Sequence, residues 1–139
     1  DEGVNKYIKR TYPKSLKDIE VFVNTVANNQ SIYWVVALKE SPSEMIGSIC
    51  LWNFSADKKV GEVGYALIPR FQGKGIMSEA LKAIIDYGFN QLALHKIEAF
   101  THRLNESSKK MLSNNGFVFA PNRADLNNID NLIFELEKC

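Results

Sequence analysis

The chain has 139 residues, of which 45% are hydrophobic and 24% charged, and its net charge is +1. That length suits one folded domain with its own core, and we expect a single domain over residues 1–139. A nearly neutral chain gives no electrostatic signal for a polyanion, so no nucleic-acid partner is predicted.

The first thirty residues show two helix-like patterns. Apolar residues within 4–8 predict a short helix, and a second helix is predicted over residues 15–28. Ser15 is suited to cap the second helix, and Asp18 three residues later completes a capping box. Its apolar stripe consists of Leu16, Ile19, Phe22, Val23 and Val26.

Three strand-like segments follow, joined by short polar turns. Residues 32–38 and 45–52 are β-branched and aromatic runs, and the loop between them contains Pro42, which indicates an antiparallel hairpin. Residues 55–59 form a polar turn into a third strand over 61–68, so we predict a three-stranded meander.

The central segment, residues 62–90, is predicted to be a strand, a turn with two glycines and a long helix. Val63, Tyr65 and Leu67 give the two-residue period of a strand, which Pro69 ends. The turn's free backbone N–H groups then open onto a helix N-terminus, an arrangement that binds anions. The helix shows apolar pairs that recur every four residues, namely Ile76 and Met77, Ala80 and Leu81, Ile84 and Ile85, and Gly88 and Phe89.

After this helix, residues 96–101 are predicted as a strand whose crossover implies parallel pairing with the strand over 61–68. A further helix is predicted between Asn105, at its cap, and Gly116, at a left-handed stop. The last predicted strands cover residues 117–119 and 132–136.

Cysteine usage and hydropathy indicate where the protein works. Cys50 lies in an apolar run and Cys139 is the last residue, so nothing in their surroundings suggests a disulfide. We therefore expect a cytoplasmic protein. No apolar run approaches the roughly 20 residues of a membrane-spanning helix, and the charged start lacks the pattern of a signal peptide, so no membrane partner is expected.

The turn after the central strand has the composition of a phosphate loop. Gly73 and Gly75 let a ligand approach the backbone, and Arg70 and Lys74 add positive charge. The alternative is an ordinary strand-to-helix turn that uses glycine only for its torsion angles.

Two common phosphate loops do not match this turn. In a Walker loop, the position of Ile68 would need glycine and that of Gly75 would need Ser or Thr. The dinucleotide fingerprint would need a third glycine where this chain has Ser78.

The motif Arg70-x-x-Gly73-x-Gly75, between Leu-Ile-Pro and Ile-Met-Ser-Glu-Ala-Leu, resembles the acetyl-CoA pyrophosphate loop of the GNAT family of N-acetyltransferases. The likeness covers nearly the whole chain and is strongest to the branch with the ribosomal-protein N-terminal acetyltransferases. It implies an α+β (mixed α/β) fold with a central mixed, mostly antiparallel twisted sheet flanked by helices. The family normally begins with a strand, which this sequence does not show, so we expect the first strand to be missing.

The resemblance also implies a site for acetyl-CoA as cosubstrate. The pyrophosphate and pantetheine would be held mostly by backbone amides, beside the charge of Arg70, along Gln72, Gly73, Lys74, Gly75, Ile76 and Met77. Asn105 would contact the cofactor arm. An open strand edge would lie beside the pantetheine, with an amide near Tyr65 or Ala66 receiving the thioester carbonyl; this edge is formed by Tyr65, Ala66, Leu67 and Ile68.

Two side chains are candidates for catalysis. Glu62 lies where the family often places its base and could accept an amine proton directly or through water; the alternative is an ordinary exposed strand carboxylate. Asn105-x-x-Ser108 resembles a family motif in which a serine protonates or stabilises the thiolate, and the alternative is simple N-capping. Many relatives instead use a tyrosine farther along this helix, where this chain has Met111 and Leu112.

The leading interpretation is an N-acetyltransferase that moves an acetyl group directly to a primary amine in a ternary complex. The acceptor partner is left open between a protein N-terminus, which the resemblance favours, and a small molecule, and the protein would be a monomer or homodimer. The alternative is a catalytically silent acyl-CoA-binding or regulatory module. No metal is expected, because His95 and His102 lack further ligands at suitable spacing.

Overall fold

A computed structural model describes residues 5–7, 19–26 and 31–139 of the chain. The two α-helices of these residues are α1 (Ile76–Asn90) and α2 (Glu106–Asn114). A short 3₁₀ turn, Pro69–Phe71, precedes α1. The strands are β1 (Asn5–Tyr7), β2 (Ile19–Val26), β3 (Ser31–Leu38), β4 (Gly47–Trp52), β5 (Val60–Leu67), β6 (Lys96–His102), β7 (Val118–Phe119) and β8 (Asn131–Glu137).

The strands form one sheet in the order β1-β2-β3-β4-β5-β6-β8-β7. The described neighbours pair antiparallel except β5 and β6, which are parallel. This confirms the predicted α+β class with a mixed, mostly antiparallel sheet. The β3–β4–β5 meander and the parallel crossover through α1 are also confirmed.

Both helices lie close to their predicted positions. Helix α1 follows Gly75 directly, and α2 follows Asn105, whose side-chain oxygen accepts a hydrogen bond from the Ser108 amide at 3.1 Å. Gly116 has a φ of 91°, the left-handed conformation expected of a glycine that ends a helix.

The predictions for the first part of the chain are wrong where the structure describes it. Strands β1 and β2 form where helices were expected, and β2 pairs antiparallel with both β1 and β3. The expectation that a first strand is missing is also wrong, because β1 precedes β2 at the sheet edge. Residues 19–26 are rich in Ile, Val and Thr, whose branched side chains favour strands over helices. The other residues of the two predicted helices lie outside the described ranges.

The core lies between one face of the sheet and α1. Leu51 and Ile97 from the sheet belong to the same core cluster as Leu81 and Ile84 of the helix, and all four side chains are fully buried. Gly88 lets the helix approach closely, because a Cβ there would lie 3.1 Å from Ile97 Cδ1. None of the helices in the described part of the chain is long and apolar enough to cross a membrane.

Candidate active site

A cleft of 520 Å³ opens where β5, the loop before α1 and the start of α2 come together. Most of the residues predicted for the cofactor site line it, together with Ser108: Tyr65, Ala66, Leu67, Gln72, Gly73, Gly75, Ile76, Met77 and Asn105. No role in the site was predicted for the other residues of the lining, which are Ser78, Ser107, Lys110, Met111 and Asn114.

The sheet is split beside this cleft. Strands β5 and β6 pair from Val60 with Lys96 to Val63 with Ala99, and within the described residues their pairing ends there. Strand β5 continues along β4 to Leu67, while β6 continues along β8 to its end. The two parallel strands therefore part from each other, and the edge of β5 beyond Val63 faces the gap between them.

The loop before α1 has the backbone shape that the sequence suggested. Gly73 and Gly75 have φ values of 77° and 79°, a conformation that residues with a Cβ rarely adopt. Gly75 is the N-cap of α1, and no side chain caps this helix end. Gln72 fixes the loop to the strand by donating from Nε2 to the Leu67 carbonyl at 3.0 Å. The first amides of α1 are therefore placed to bind an anion in the cleft.

Three residues of the predicted cofactor set do not line the cleft, namely Ile68, Arg70 and Lys74. The Arg70 guanidinium forms an ion pair with Glu44 at 3.0 Å and lies 4.8 Å from the centre of the Phe71 ring. Its charge is thus already paired, and in this structure the backbone amides of the loop are better placed than Arg70 to meet an anion.

Glu62 is a buried carboxylate with 9% of its surface exposed, on the face of β5 opposite to Tyr65. Asn53 donates a hydrogen bond from Nδ2 to Glu62 Oε1 at 3.1 Å. Burial raises the pKa of Glu62; the Asn53 hydrogen bond opposes this effect, and the charges of Glu98 and Asp125 add to it. Glu62 is therefore a stronger base than an exposed carboxylate.

A row of carboxylates crosses the sheet next to Glu62. Glu62 is in register with Glu98 on β6, which is in register with Glu135 on β8. Arg123 Nη1 lies 2.6 Å from Glu98 Oε2 and 2.5 Å from Glu135 Oε2, so it bridges the two carboxylates. The hydrogen bond from Arg123 to Glu135 lowers the pKa of Glu135. Lys96 lies 3.5 Å from Glu135. This ion-pair cluster was not predicted from the sequence, because it joins residues that are far apart in the chain.

Ser108 occupies the first turn of α2 and is buried, with 7% of its surface exposed. The Tyr65 hydroxyl lies 2.5 Å from Ser108 Oγ, so β5 and α2 meet through these two side chains. Burial raises the pKa of Tyr65, while the hydrogen bond with Ser108 opposes the shift. Only a backbone role was predicted for Tyr65, and the contact of its hydroxyl with Ser108 was not predicted.

The histidines stand apart from this chemistry. His102 accepts a hydrogen bond at Nδ1 from the Leu104 amide at 3.1 Å, which helps shape the turn after β6. The described residues hold no group of three or more His, Cys, Asp or Glu side chains placed to bind a metal ion.

The fold and the cleft define an α+β domain of the acetyltransferase type, with split parallel strands and a helix N-terminus that opens into the cleft. Residues 1–118 match the family model described as "Acetyltransferase (GNAT) domain". The chain belongs to this family.

Individual relatives agree with that assignment. The chain is 30% identical over 119 residues to the uncharacterized N-acetyltransferase YnaD of Bacillus subtilis, covering 84% of this chain and 66% of YnaD. It is 32% identical to the ribosomal-protein-S5-alanine acetyltransferase structure from Vibrio fischeri, with a TM-score of 0.66, covering 79% of this chain and 63% of that one. The Campylobacter jejuni N-acetyltransferase PseH in complex with acetyl coenzyme A has the same fold, with 24% identity, a TM-score of 0.63 and coverages of 79% and 70%. The chain thus spans only part of each relative's length.

Proposed function

We propose that this chain carries the active site of an N-acetyltransferase that moves an acetyl group from acetyl-CoA to a primary amine. The observation that carries the proposal is the uncapped N-terminus of α1, which opens into a cleft beside the split between β5 and β6. Membership of the GNAT family and the acetyl coenzyme A complex of PseH support acetyl-CoA as the substrate.

The cleft is suited to the diphosphate and the pantetheine arm of coenzyme A. The diphosphate would meet the amides around Gly75, Ile76 and Met77, where the helix dipole favours negative charge. The pantetheine arm would run along the free edge of β5 between Gly64 and Leu67, where backbone groups are available for hydrogen bonds. This path would bring the thioester towards Ser108, whereas Glu62 lies on the opposite face of β5 and is not among the residues that line the cleft.

The side chains proposed for catalysis divide the chemistry between two faces of β5. Glu62 accepts a proton from the amine, directly or through water, as the nitrogen attacks the thioester carbonyl. A backbone amide near Tyr65 or Ala66 stabilises the oxyanion. Ser108, on the other side of the strand, supplies the hydroxyl that meets the departing thiolate. Acetyl transfer is direct, without an acetylated enzyme.

We favour a protein N-terminal α-amine as the acceptor, with a small amine as the alternative. This preference rests on the Vibrio fischeri structure, which is 32% identical to this chain. That protein is named as an acetyltransferase for alanine of ribosomal protein S5. A panel of amines tests the preference: a peptide with a free N-terminus, the same peptide blocked at its N-terminus but carrying lysine, and a polyamine. Faster thiol release from acetyl-CoA with the first peptide supports the α-amine, and faster release with the polyamine contradicts it.

The variant Glu62→Gln tests the base. We expect its turnover to fall by about 10²-fold or more, the size typical of a lost general base, while coenzyme A binding measured by calorimetry stays unchanged. The matched control is Glu40→Gln, which makes the same change at an exposed carboxylate in the loop after β3 and should keep full activity.

Two results would contradict the proposal. Full activity of Glu62→Gln across the pH range would remove Glu62 as the base. Coenzyme A binding by the unchanged protein with no turnover of any amine would instead indicate an acyl-CoA-binding module.

A further inference from the structure

The contact between Tyr65 and Ser108 joins two walls of the cleft. Both residues line it, and their hydroxyl oxygens lie 2.5 Å apart, which is a short distance even for hydroxyl groups. Ser108 is held from the other side, because its amide donates to Asn105 Oδ1 at 3.1 Å. The two hydroxyl groups are therefore fixed as a pair.

Acetyl transfer needs a proton donor for the departing thiolate. Among the described residues that line the cleft, only Tyr65 and Lys110 have side chains of the kinds that commonly act as general acids. Lys110 is exposed, whereas the Tyr65 hydroxyl is partly buried and bonded to Ser108. The serine hydroxyl is a far weaker acid than a phenol, so it needs a source from which to replace a proton that it gives up.

We propose that the Tyr65 phenol is the source of the proton that the thiolate takes, and that Ser108 passes this proton between them. The inference rests on the proposed acetyltransferase function and adds the proton donor to it. Position 65 thereby serves the reaction through its side chain, in addition to the backbone role of its strand.

The proton transfers balance as follows. The amine nitrogen forms a bond to the thioester carbon and gives its proton to Glu62, and the C–S bond breaks with its electron pair on sulfur. Sulfur takes the Ser108 proton as Ser108 Oγ takes the Tyr65 proton. The resulting phenolate regains a proton from water, and Glu62 releases to water the proton that it took from the amine. Burial raises the pKa of Tyr65, so the phenol keeps its proton at neutral pH until the reaction draws on it.

The purely structural alternative is that Tyr65 only holds Ser108 in place. The two roles differ in their response to the leaving group. A proton donor matters less when the departing thiolate is weakly basic, whereas a misplaced side chain impairs transfer from every thioester. An acetyl thioester of an aromatic thiol, which leaves as a weakly basic thiolate, can therefore separate them.

The test compares Tyr65→Phe, Ser108→Ala and the double variant with Tyr87→Phe as a matched control. Tyr87 lies on α1, where its ring packs edge-on against Trp34 at 5.3 Å, and it does not line the cleft. We expect Tyr65→Phe and Ser108→Ala each to lower kcat with acetyl-CoA by about 10²-fold, and the double variant to fall little further because the pair acts as a unit. Tyr87→Phe should keep the unchanged protein's kcat.

Two further measurements accompany the kinetics. Coenzyme A affinity by calorimetry should match the unchanged protein in all variants, which shows that the cleft is intact. With the aromatic thioester, the loss in Tyr65→Phe should shrink to less than about tenfold.

The inference is overturned if Tyr65→Phe keeps full kcat, if its loss is the same with the aromatic thioester, or if the two single losses multiply in the double variant. These results require an active parent protein and leave the proposed function standing. A parent protein that transfers acetyl to no amine overturns the proposed function, and the inference with it.

Discussion

The burial of Glu62, which would make it a better base in the proposed reaction, should also weaken the fold. Its raised pKa means that the carboxyl holds its proton more tightly in the folded protein than in the unfolded chain. In the unfolded chain the carboxyl loses its proton near its ordinary pKa. Stability is therefore lost as the pH rises from the unfolded value of about 4.5 through the folded pKa. Once the pH is above the folded pKa, the protein bears the full free-energy cost of the buried charge.

Glu62→Gln should therefore raise the melting temperature at pH 7 by a few degrees while it lowers activity. The glutamine removes the charge and keeps an oxygen that can accept the Asn53 hydrogen bond. The gain should disappear in melts at pH 4, where the carboxyl of the unchanged protein is protonated in the fold. A lower melting temperature at pH 7, or a gain that is the same at both pH values, would contradict this account.

Single residues could be predicted where a local pattern carries the information. Asn105 was predicted as the cap of a helix, which the structure confirms, and Glu62 was chosen as a candidate base from its place in a strand and from the family resemblance. The Tyr65 hydroxyl could not be predicted in this way, because its partner Ser108 is 43 positions away and belongs to another element. For the same reason the sequence could not show that Arg70 is paired with Glu44, 26 positions earlier.

Among the elements, the loop before α1 depends on two glycines with positive φ. A Cβ at Gly73 or Gly75 would meet nothing within 4 Å, so alanine would be disfavoured there by backbone torsion and not by crowding. The left-handed conformation costs roughly 1–2 kcal/mol for a residue with a Cβ. Alanine should therefore shift the loop away from the shape that presents its amides.

Gly73→Ala and Gly75→Ala should each weaken coenzyme A binding by about tenfold, which corresponds to roughly 1.4 kcal/mol. The control is Gly116→Ala, which places alanine at a φ of 91° outside the cleft. It should lower the melting temperature without changing coenzyme A affinity in calorimetry. Equal affinity in all three variants would show that the loop does not hold the ligand.

The loop over residues 121–130 controls the charges beside Glu62. Arg123 on this loop neutralises Glu98 and Glu135 on the sheet. Without Arg123, the charge of Glu98 would act more strongly on Glu62 and raise its pKa further. Since the proposed base would act as a carboxylate, the acid limb of the activity profile would then move to higher pH.

Arg123→Ala should show this shift in a pH profile of kcat/KM, with activity lost on the acid side at a higher pH than in the unchanged protein. Arg103→Ala is the control, because Arg103 pairs with Asp130 at the end of the same loop at 3.3 Å but touches none of the three strand carboxylates. An acid limb that stays in place, or that moves equally in both variants, would refute the electrostatic explanation.

Over the whole molecule, the elements from β3 onward were predicted correctly from the sequence. For the described residues before β3, helices were predicted where the structure has strands. The α1 segment has a four-residue period over fifteen residues, which a strand cannot satisfy. The segment of β2 is ambiguous, because Ile19 and Val23 belong to both a helical stripe and a strand alternation. Its pairing with β3 over seven residue pairs is a long-range contact, and local periodicity cannot reveal it.

The proposed acetyl transfer requires that coenzyme A bind with its diphosphate at the N-terminus of α1. Titration of coenzyme A into ¹⁵N-labelled protein, followed by amide NMR, tests this most directly. We predict the largest shifts at the amides of Gly73, Gly75, Ile76 and Met77, with smaller shifts along the free edge of β5. Saturable binding that leaves these four amides unchanged, or no binding at all, would contradict it.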